Sequence, residues 1–220
     1  MHHILIVDDH PLFRAALRQS VTSALTDVTI SEATDLVGTL AALNSTPETD
    51  LVLLDLHMPG SRGLSGLAAL RGQFPAVAVA IVSANDDARV IRRALDHGAC
   101  GFISKSSSFD DIAAALHCVL EGGEWIPTHL RTQVAQVNSS PDDSDLAARL
   151  ASLTEQQFRV LGLVADGLLN KQIADRLGIQ ERTVKAHVSA IFERLRVRNR
   201  TQASLLLSAL DLAEPARSNH

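Results

Sequence analysis

The sequence predicts an α/β domain with a doubly wound parallel five-stranded sheet, followed by a small all-α domain that contains a helix-turn-helix. Over residues 1–123, short apolar runs alternate with amphipathic segments, as strands and helices do in a doubly wound fold. Residues 138–145 then contain no large apolar side chain, which indicates a solvated linker. After this segment the apolar residues recur with the helical period, and no further run is typical of a strand.

Five runs in the first domain are predicted as strands. Three are almost wholly apolar and rich in β-branched residues, which is typical of strands buried on both faces, and two are weaker. The strong runs are Ile4–Val7, Leu51–Leu54 and Val77–Val82, and the weaker ones are Val28–Glu32 and Gly101–Ile103. The amphipathic segments between and after them are predicted as helices, namely Phe13–Leu25, Leu36–Asn44, Leu64–Phe74, Asp87–His97 and Phe109–Glu121.

Composition excludes several classes of protein. With 46% apolar and 20% charged residues, the chain can bury a core and is not a disordered polypeptide. It contains no apolar run of the roughly 18 residues that a membrane span needs. The two cysteines, Cys100 and Cys118, are too few for a disulfide framework and lie in no metal-binding spacing. We therefore expect a cytoplasmic protein with no membrane partner.

The net charge of −5 hides a difference between the two parts of the chain. Residues 1–124 carry 15 acidic and 8 basic side chains, whereas residues 152–214 carry 7 acidic and 9 basic ones. An acidic first part and a mildly basic second part indicate two different partners. The basic surplus is small, so it does not by itself establish nucleic-acid binding.

Polar side chains follow four of the predicted strands. Asp8 and Asp9 come directly after the first strand, Asp55 after the third, Ser83 closes the fourth, and Lys105 follows the fifth. Ligands of open α/β sheets bind outside the carboxyl ends of the strands, where the strand order reverses. Carboxylates gathered there suit Mg²⁺, and a carboxylate nucleophile beside a hydroxyl and an ammonium suits phosphoryl transfer. For any single Asp, the alternative is an ordinary turn residue.

Four segments resemble the signature blocks of receiver domains. They are Val7–Pro11, Asp55–Gly60, Ile81–Ala84 and Gly101–Lys105. The resemblance implies that Asp55 is the phospho-acceptor and that Mg²⁺ is bound directly by Asp9, Asp55 and the backbone carbonyl of His57, with Asp8 acting through water. It also implies that Ser83, Phe102 and Lys105 sense the phosphoryl group. Ser106 stands where many receivers have proline.

Histidines offer a second interpretation of the metal site. The side chain of His57 lies two residues after Asp55, but in the receiver pattern this position contributes its main chain and its side chain varies. His2, His3 and His10 cluster near the N-terminus, and we interpret them as solvated strand and loop residues.

The second domain is predicted to contain four helices. Thr154 and Gln157 have the spacing of a capping box at the start of the first, and Gly167 ends that helix. Asn170–Leu177 and Glu181–Arg196 follow, separated by the turn 178–180, in the pattern of a DNA-binding helix-turn-helix. The last helix is predicted over Thr201–Leu212.

The helix Glu181–Arg196 has one apolar stripe and one mostly small and basic face. The stripe consists of Val184, Val188, Ile191 and Leu195. A small and basic outer face suits insertion into a major groove, although taken alone an ordinary amphipathic surface helix is the simpler interpretation. The outer face presents Arg182, Lys185, Ala186, Ser189, Glu193 and Arg196.

Five segments of this domain resemble the LuxR-type DNA-binding domain. They are Leu153-Thr154, Val160-Leu161, Asn170–Ala174, Thr183–Val188 and Asn199–Ala203. The resemblance implies DNA contacts from basic and small residues around the recognition helix. These are Lys171, Arg182, Thr183, Lys185, Ala186, Ser189, Arg198 and Arg200. Leu169 and Ser189 depart from the residues usual at their positions, so the operator sequence of a relative does not transfer to this chain.

The last predicted helix is apolar nearly all round, so its own domain and a further surface must cover it. By the resemblance it supplies a dimer contact, from Leu206, Leu207 and Leu210. Two such domains read half-sites about one turn, or 10 base pairs, apart. The predicted organisation is a receiver at 1–123, a linker at 124–148, a LuxR-type helix-turn-helix domain at 149–214 and a disordered tail at 215–220.

The combination resembles a response regulator transcription factor of the NarL/FixJ type, which is not an enzyme. It implies that a sensor histidine kinase phosphorylates Asp55, and that the protein then forms a homodimer on promoter DNA. In relatives the unphosphorylated receiver masks the recognition helix. One alternative is a phosphohydrolase with Asp55 as nucleophile, but such chemistry usually wants a second acid where this chain has His57. Another is a receiver that serves only in dimerisation, against which the complete set of strand-end residues argues.

Overall fold

The computed structural model describes residues 1–59, 61–138 and 140–210, and the first domain is built on five parallel strands. The strands are β1 (His2–Val7), β2 (Val28–Ala33), β3 (Leu51–Asp55), β6 (Ala78–Ser83) and β7 (Gly101–Ser104). Their spatial order is β2-β1-β3-β6-β7, with the reversal of strand order between β1 and β3. Two short strands, β4 (His57–Met58) and β5 (Ser61–Arg62), form a separate antiparallel pair after β3. The predicted fold class is confirmed.

Five helices cover the two faces of the sheet. They are α1 (Pro11–Ala24), α2 (Leu36–Ser45), α3 (Ser65–Gln73), α4 (Ala88–Asp96) and α5 (Phe109–Leu120), and each lies within a few residues of its prediction. Successive residues of a strand point to opposite faces. Leu5 and Val7 therefore join one apolar cluster, and Ile4 and Ile6 join the other, which includes residues of α1 and α5.

The second domain has the four predicted helices, α8 (Glu155–Ala165), α9 (Asn170–Leu177), α10 (Glu181–Leu195) and α11 (Arg200–Ser208). The capping box is present, since the Gln157 N–H donates to Thr154 Oγ1 at 3.3 Å and the Thr154 N–H donates to Gln157 Oε1 at 3.0 Å. Gly178 makes the turn between α9 and α10 with a φ of 65°, which glycine adopts at little cost. Residues 211–220, with the end of the predicted last helix and the predicted tail, lie outside the described residues.

The segment predicted as a linker is largely helical. It contains a 3₁₀ turn (Thr128–Leu130), α6 (Arg131–Gln136) and α7 (Pro141–Ala151). The interpretation of 138–145 as a plain solvated linker is therefore wrong from residue 141 onward. Proline in the first turn followed by acidic residues favours a helix start, because the proline needs no N–H partner there and the acids face the positive end of the helix dipole.

Helix α7 joins the two domains. On the receiver side it packs against α3, where Gly72 approaches so closely that a Cβ at this position would lie 2.1 Å from the carbonyl oxygen of Ala151. On the other side Arg149 donates from Nη1 to the carbonyl of Leu195 at 2.7 Å, at the end of α10. Leu150 is fully buried, and one apolar cluster runs through both domains.

Further contacts join the receiver to the end of α11. The N–H of Leu64, just before α3, donates to the carbonyl of Leu210 at 3.2 Å. Arg93 of α4 donates from Nη2 to the carbonyl of Ala209 at 2.8 Å and to Asp143 Oδ1 of α7 at 3.2 Å. These bonds hold the two domains in a closed arrangement.

The closed arrangement predicts that Gly72→Ala loosens α7 from the receiver. Alanine suits a helix, so only the clash with Ala151 opposes it, and overpacking of this kind costs about 1–3 kcal/mol. We expect faster amide hydrogen exchange in α7 and a larger radius of gyration by small-angle X-ray scattering.

Gly162→Ala in α8 is the matched control, because a Cβ there meets no atom within 4 Å. We expect it to leave both measurements unchanged and to stabilise the protein by about 0.5–1 kcal/mol. If Gly72→Ala behaved like this control, the close approach of α3 and α7 would not be what holds the domains together.

Candidate functional site

The strand order brings the predicted acidic residues to one edge of the sheet. Asp8 and Asp9 follow β1, Asp55 ends the neighbouring strand β3, and these two strands flank the point where the order reverses. Ligand atoms of Asp8, Asp9, His10 and Asp55 all lie within 4.8 Å of one another. Asp8 is 1% and Asp55 2% exposed, so both carboxylates are nearly withdrawn from water.

Lys105 supplies the positive charge that this group needs. Its Nζ lies 2.7 Å from Asp8 Oδ2 and 3.0 Å from Asp55 Oδ2, and thus bridges two carboxylates from different strands. The Lys105 N–H donates to the carbonyl of Ser83 at 2.8 Å, which fixes the backbone from which the side chain extends. The predicted convergence of Lys105 on the acidic residues is therefore present in the structure.

His10 makes a second bridge on the outer side of the pocket. Its Nδ1 lies 2.8 Å from Asp9 Oδ1 and 3.2 Å from Asp8 Oδ1, and its backbone N–H donates to Asp8 Oδ1 at 2.7 Å. The interpretation of His10 as a merely solvated loop residue is therefore incomplete. Its ring is largely exposed, but it contacts two of the three carboxylates.

Burial raises the pKa of Asp55 above its ordinary value. The Lys105 ammonium opposes this shift, the neighbouring Asp8 carboxylate adds to it, and a hydrogen bond from the backbone N–H of His57 opposes it. The ionised form of Asp55 is therefore less favourable in the folded protein than in water. A positive charge near its carboxylate oxygens lowers this free-energy cost.

The donor set fits a hard divalent cation. Three carboxylates close to one another offer oxygen ligands, which Mg²⁺ prefers, and Asp9 stays a third exposed so that water can complete a coordination shell. The His57 backbone lies beside the Asp55 carboxylate, while the buried Nε2 of its imidazole has no hydrogen-bond partner within the described residues.

Ser83 and Phe102 lie on β6 and β7, the two strands on the other side of β3 from β1. Ser83 is fully buried at the end of β6, and its Oγ accepts the N–H of Asn85 at 3.2 Å. Phe102 is fully buried in the apolar cluster that runs through both domains. Both residues are therefore on neighbouring strands, and within the described residues no hydrogen bond joins the Ser83 hydroxyl to Asp55.

The outer face of α10 is open to solvent. Lys185, Ala186 and Ser189 are exposed, whereas Val184, Ile191 and Leu195 of the opposite stripe are buried, as the helical period predicts. Of the other residues predicted for DNA contact, Lys171, Arg182 and Arg198 are exposed and Thr183 is half-buried. The expectation that the receiver masks the recognition helix is therefore wrong for this arrangement, because the receiver packs on other helices of the domain.

Arg200 was predicted to contact DNA and α11 was predicted to supply a dimer surface, and the structure differs on both points. The Arg200 guanidinium donates to the main-chain carbonyls of Val164 and Leu168 near the end of α8, which is a packing role. Leu207 and Leu210, predicted for dimer contact, are buried, and the former lines a cavity of about 290 Å³ together with Met58 of the receiver. Leu206 is half-buried.

Sequence reasoning missed the roles of three residues at these sites. Phe13 lies under the Lys105 ammonium, with 4.7 Å between Nζ and the ring centroid, and Arg93 joins α4 to the second domain. His10 was noticed, but its contacts were not. No spacing rule connects these residues to their partners, since the contacts depend on where α1 and α4 pack.

Two family patterns match the chain. That of the response regulator receiver domain matches residues 4–117, and that of the bacterial regulatory proteins of the LuxR family matches residues 151–207. Among the described residues, no helix has both the length and the apolar character to cross a membrane.

Relatives match over nearly their full length. The glycerol metabolism activator of Pseudomonas putida is 43% identical over 96% of this chain and 96% of its own length. The nitrate/nitrite response regulator protein NarL of Escherichia coli K12 is 31% identical over 92% of this chain and 93% of its own. The RcsB response regulator of Salmonella typhimurium shares the fold, with a TM-score of 0.55 at 21% identity over 94% of this chain and 98% of that one.

The bridging position of Lys105 predicts that Lys105→Met destabilises the domain. Removing the ammonium leaves two buried carboxylates unpaired, and breaking a buried ion pair costs about 3–5 kcal/mol. We expect the loss in urea denaturation at pH 7, and we expect it to shrink as the pH falls. The sign follows because Lys105 opposes the rise in the pKa of Asp55, so the folded variant binds a proton more tightly than the folded wild type and gains more stability as the pH falls.

Lys171→Met removes a positive charge from an exposed site and is the matched control, for which we expect almost no change at any pH. Equal stabilities of the two variants at pH 7 would show that Lys105 does not neutralise the pocket.

Proposed function

Because this chain belongs to the bacterial response regulators that join a receiver domain to a LuxR-type DNA-binding domain, we propose that phosphorylation of Asp55 controls its binding to promoter DNA. It is a DNA-binding response regulator and a transcription factor. A sensor histidine kinase is the proposed phosphoryl donor. The single observation that carries the proposal is the buried Asp55 carboxylate with Lys105 Nζ 3.0 Å from its Oδ2.

The proposed reaction transfers a phosphoryl group to an Asp55 oxygen. The carboxylate attacks phosphorus, the bond from phosphorus to the kinase imidazole nitrogen breaks, and the imidazole leaves with a proton. A bound Mg²⁺ supplies positive charge against the phosphoryl oxygens. Asp8, Asp9, Asp55 and the carbonyl of His57 are the residues proposed to hold it.

The surrounding side chains have two roles in this proposal. Lys105 already lies at Asp55, and its ammonium is placed to pair with a phosphoryl oxygen once the acceptor oxygen of Asp55 carries the phosphoryl group. The Ser83 hydroxyl, on the neighbouring strand, is the proposed hydrogen-bond donor to another phosphoryl oxygen, and Phe102 repacks behind it. The phosphoryl group carries about −1.5 to −2 charges in place of the single charge of the carboxylate, and it brings further acceptor oxygens, so both rearrangements have an electrostatic cause.

The segment after Asp55 links the reaction to the second domain. Met58 is buried three residues on and lines the cavity shared with Leu207, and Leu64 donates to the carbonyl of Leu210. A shift of this loop on phosphorylation therefore acts directly on the end of α11. Arg93 of α4 acts on the same place through the carbonyl of Ala209.

The surface that the closed arrangement covers is the proposed dimer surface. Leu207 and Leu210 are buried, whereas the outer face of α10 is exposed. Phosphorylation is proposed to release α11, and two released domains then pair and read half-sites about 10 base pairs apart. The proposed base contacts are Lys185, Ala186 and Ser189, and the proposed backbone contacts are Lys171, Arg182, Thr183 and Arg198. Arg200 is left out, because its guanidinium is bound to α8.

The first test is Asp55→Asn, with acetyl phosphate and Mg²⁺ as the donor system. We expect the wild type to incorporate phosphate, to become dimeric and to bind its promoter more tightly, and we expect the variant to do none of these because the amide is not a nucleophile. Gel filtration and a mobility-shift assay measure the outcome, and Asp27→Asn, an exposed carboxylate, is the control. Phosphate-enhanced DNA binding that survives in Asp55→Asn would contradict the proposal, and steady release of phosphate from a small phosphomonoester would favour a hydrolase.

The DNA face is tested by Lys185→Ala. Lys185 is exposed on α10 and pairs only with Glu181 of the same helix among the described residues, so its loss leaves the fold intact. A lost base contact costs about 1–3 kcal/mol, or about fivefold to 150-fold in affinity, and reduces discrimination against non-specific DNA. The control is Arg89→Ala, which removes one positive charge from an exposed site on the receiver. Equal losses in both variants would indicate a general charge effect rather than a contact.

A further inference from the structure

Lys105 has a third partner besides the two carboxylates. Its Nζ lies 4.7 Å from the centroid of the Phe13 ring, within the distance at which an ammonium is attracted to the face of an aromatic ring. Phe13 belongs to the first turn of α1, directly after the acidic residues, and its ring packs partly against the apolar cluster between the sheet, α1 and α5. The ring is therefore held in place independently of the lysine.

The carboxylate partners of Lys105 are the same atoms that a divalent cation needs. Asp8 Oδ2 and Asp55 Oδ2 both contact the ammonium, and both carboxylates belong to the proposed Mg²⁺ ligands. When a metal ion takes these oxygens, the attraction that holds the lysine is reduced. The side chain then has four flexible bonds and open solvent on one side, because it is 16% exposed.

We propose that Phe13 is a positioning residue that keeps the Lys105 ammonium in the pocket when the carboxylates bind metal. An aromatic ring attracts an ammonium but is no competitor for Mg²⁺, which takes oxygen ligands. Phe13 thus holds the lysine where a phosphoryl group on Asp55 arrives, whether or not the carboxylates are occupied. This inference rests on the proposed phosphorylation of Asp55.

A graded series at position 13 tests the proposal. Phenylalanine is replaced by its monofluoro, difluoro and trifluoro forms, which keep the shape of the ring and successively weaken its negative face, and Phe13→Leu removes the ring. We expect the rate of Asp55 labelling by acetyl phosphate at saturating Mg²⁺ to fall stepwise, by about threefold to tenfold over the series. Phe13→Tyr restores an electron-rich ring, and we expect it to keep the wild-type rate.

Nuclear magnetic resonance gives a second readout that does not depend on turnover. The chain has lysines at 105, 171 and 185, so the methylene protons beside each Nζ are readily assigned. We expect those of Lys105 to show an upfield ring-current shift that persists when Mg²⁺ saturates the protein and that Phe13→Leu abolishes. Phe109→Leu, at a half-exposed phenylalanine of α5, is the control and is expected to change neither readout.

The outcomes separate this inference from the proposed function. If the wild type takes up no phosphate, phosphorylation of Asp55 itself fails. If the wild type is labelled but the fluorinated series is flat, or Phe13→Tyr is as slow as Phe13→Leu, the ring has only a packing role and the inference is overturned. Loss of the Lys105 ring-current shift on adding Mg²⁺ to the wild type would overturn it as well.

Discussion

The crowding of like charge at one edge of the sheet is the constraint on which the rest of the site depends. Asp8 and Asp55 are nearly fully buried at the ends of adjacent strands, where the Asp8 carboxylate adds to the burial that raises the pKa of Asp55. A single ammonium, from Lys105, bridges them at 2.7 and 3.0 Å. The ammonium compensates the negative charge only in part, because the pKa of Asp55 stays raised. A site of this kind is stable enough to fold and still gains from a further cation, which is the condition that reversible metal and phosphoryl binding requires.

Helix α7 connects the receiver, which carries the acidic site, to the DNA-binding domain. It contacts α3 through the close approach at Gly72 and α10 through Arg149, so neither domain moves without changing its packing. To shift a two-state arrangement from 1:99 to 99:1, about 5.5 kcal/mol of differential stabilisation is needed. Among the described residues, the closed interface combines apolar packing with directional bonds, which include those of Arg93 and Leu64 to the end of α11. Under the proposed function, phosphorylation of Asp55 has to supply a difference of about this size.

The sheet and the acidic site could be predicted because each depends on short stretches of sequence. Apolar runs identify buried strands, and the rule that ligands bind at their carboxyl ends brings Asp8, Asp55 and Lys105 together without any knowledge of packing. Helix α7 was missed because its first residues are polar, although Pro141 followed by two acids is a helix-start signal. The contacts of Gly72, Phe13 and Arg93 could not be predicted, because they depend on how whole helices are placed against one another. For the same reason, nothing in the sequence indicated that Arg200 would turn toward α8.

Which surface of the DNA-binding domain the receiver buries determines how such a regulator is controlled. The face of α10 that carries Lys185 is exposed while Leu207 and Leu210 of α11 are buried, so under the proposed function closure leaves the DNA-binding face of a single domain open. What closure prevents, under the proposed function, is the pairing of this domain with the DNA-binding domain of a second chain. A single helix-turn-helix contacts one half-site weakly, whereas pairing makes the second contact effectively intramolecular and raises the overall affinity by orders of magnitude without a new base contact. Under the proposed function, the phosphoryl group on Asp55 therefore acts on the number of domains bound rather than on the affinity of each, and regulation appears as a steep dependence of promoter occupancy on protein concentration.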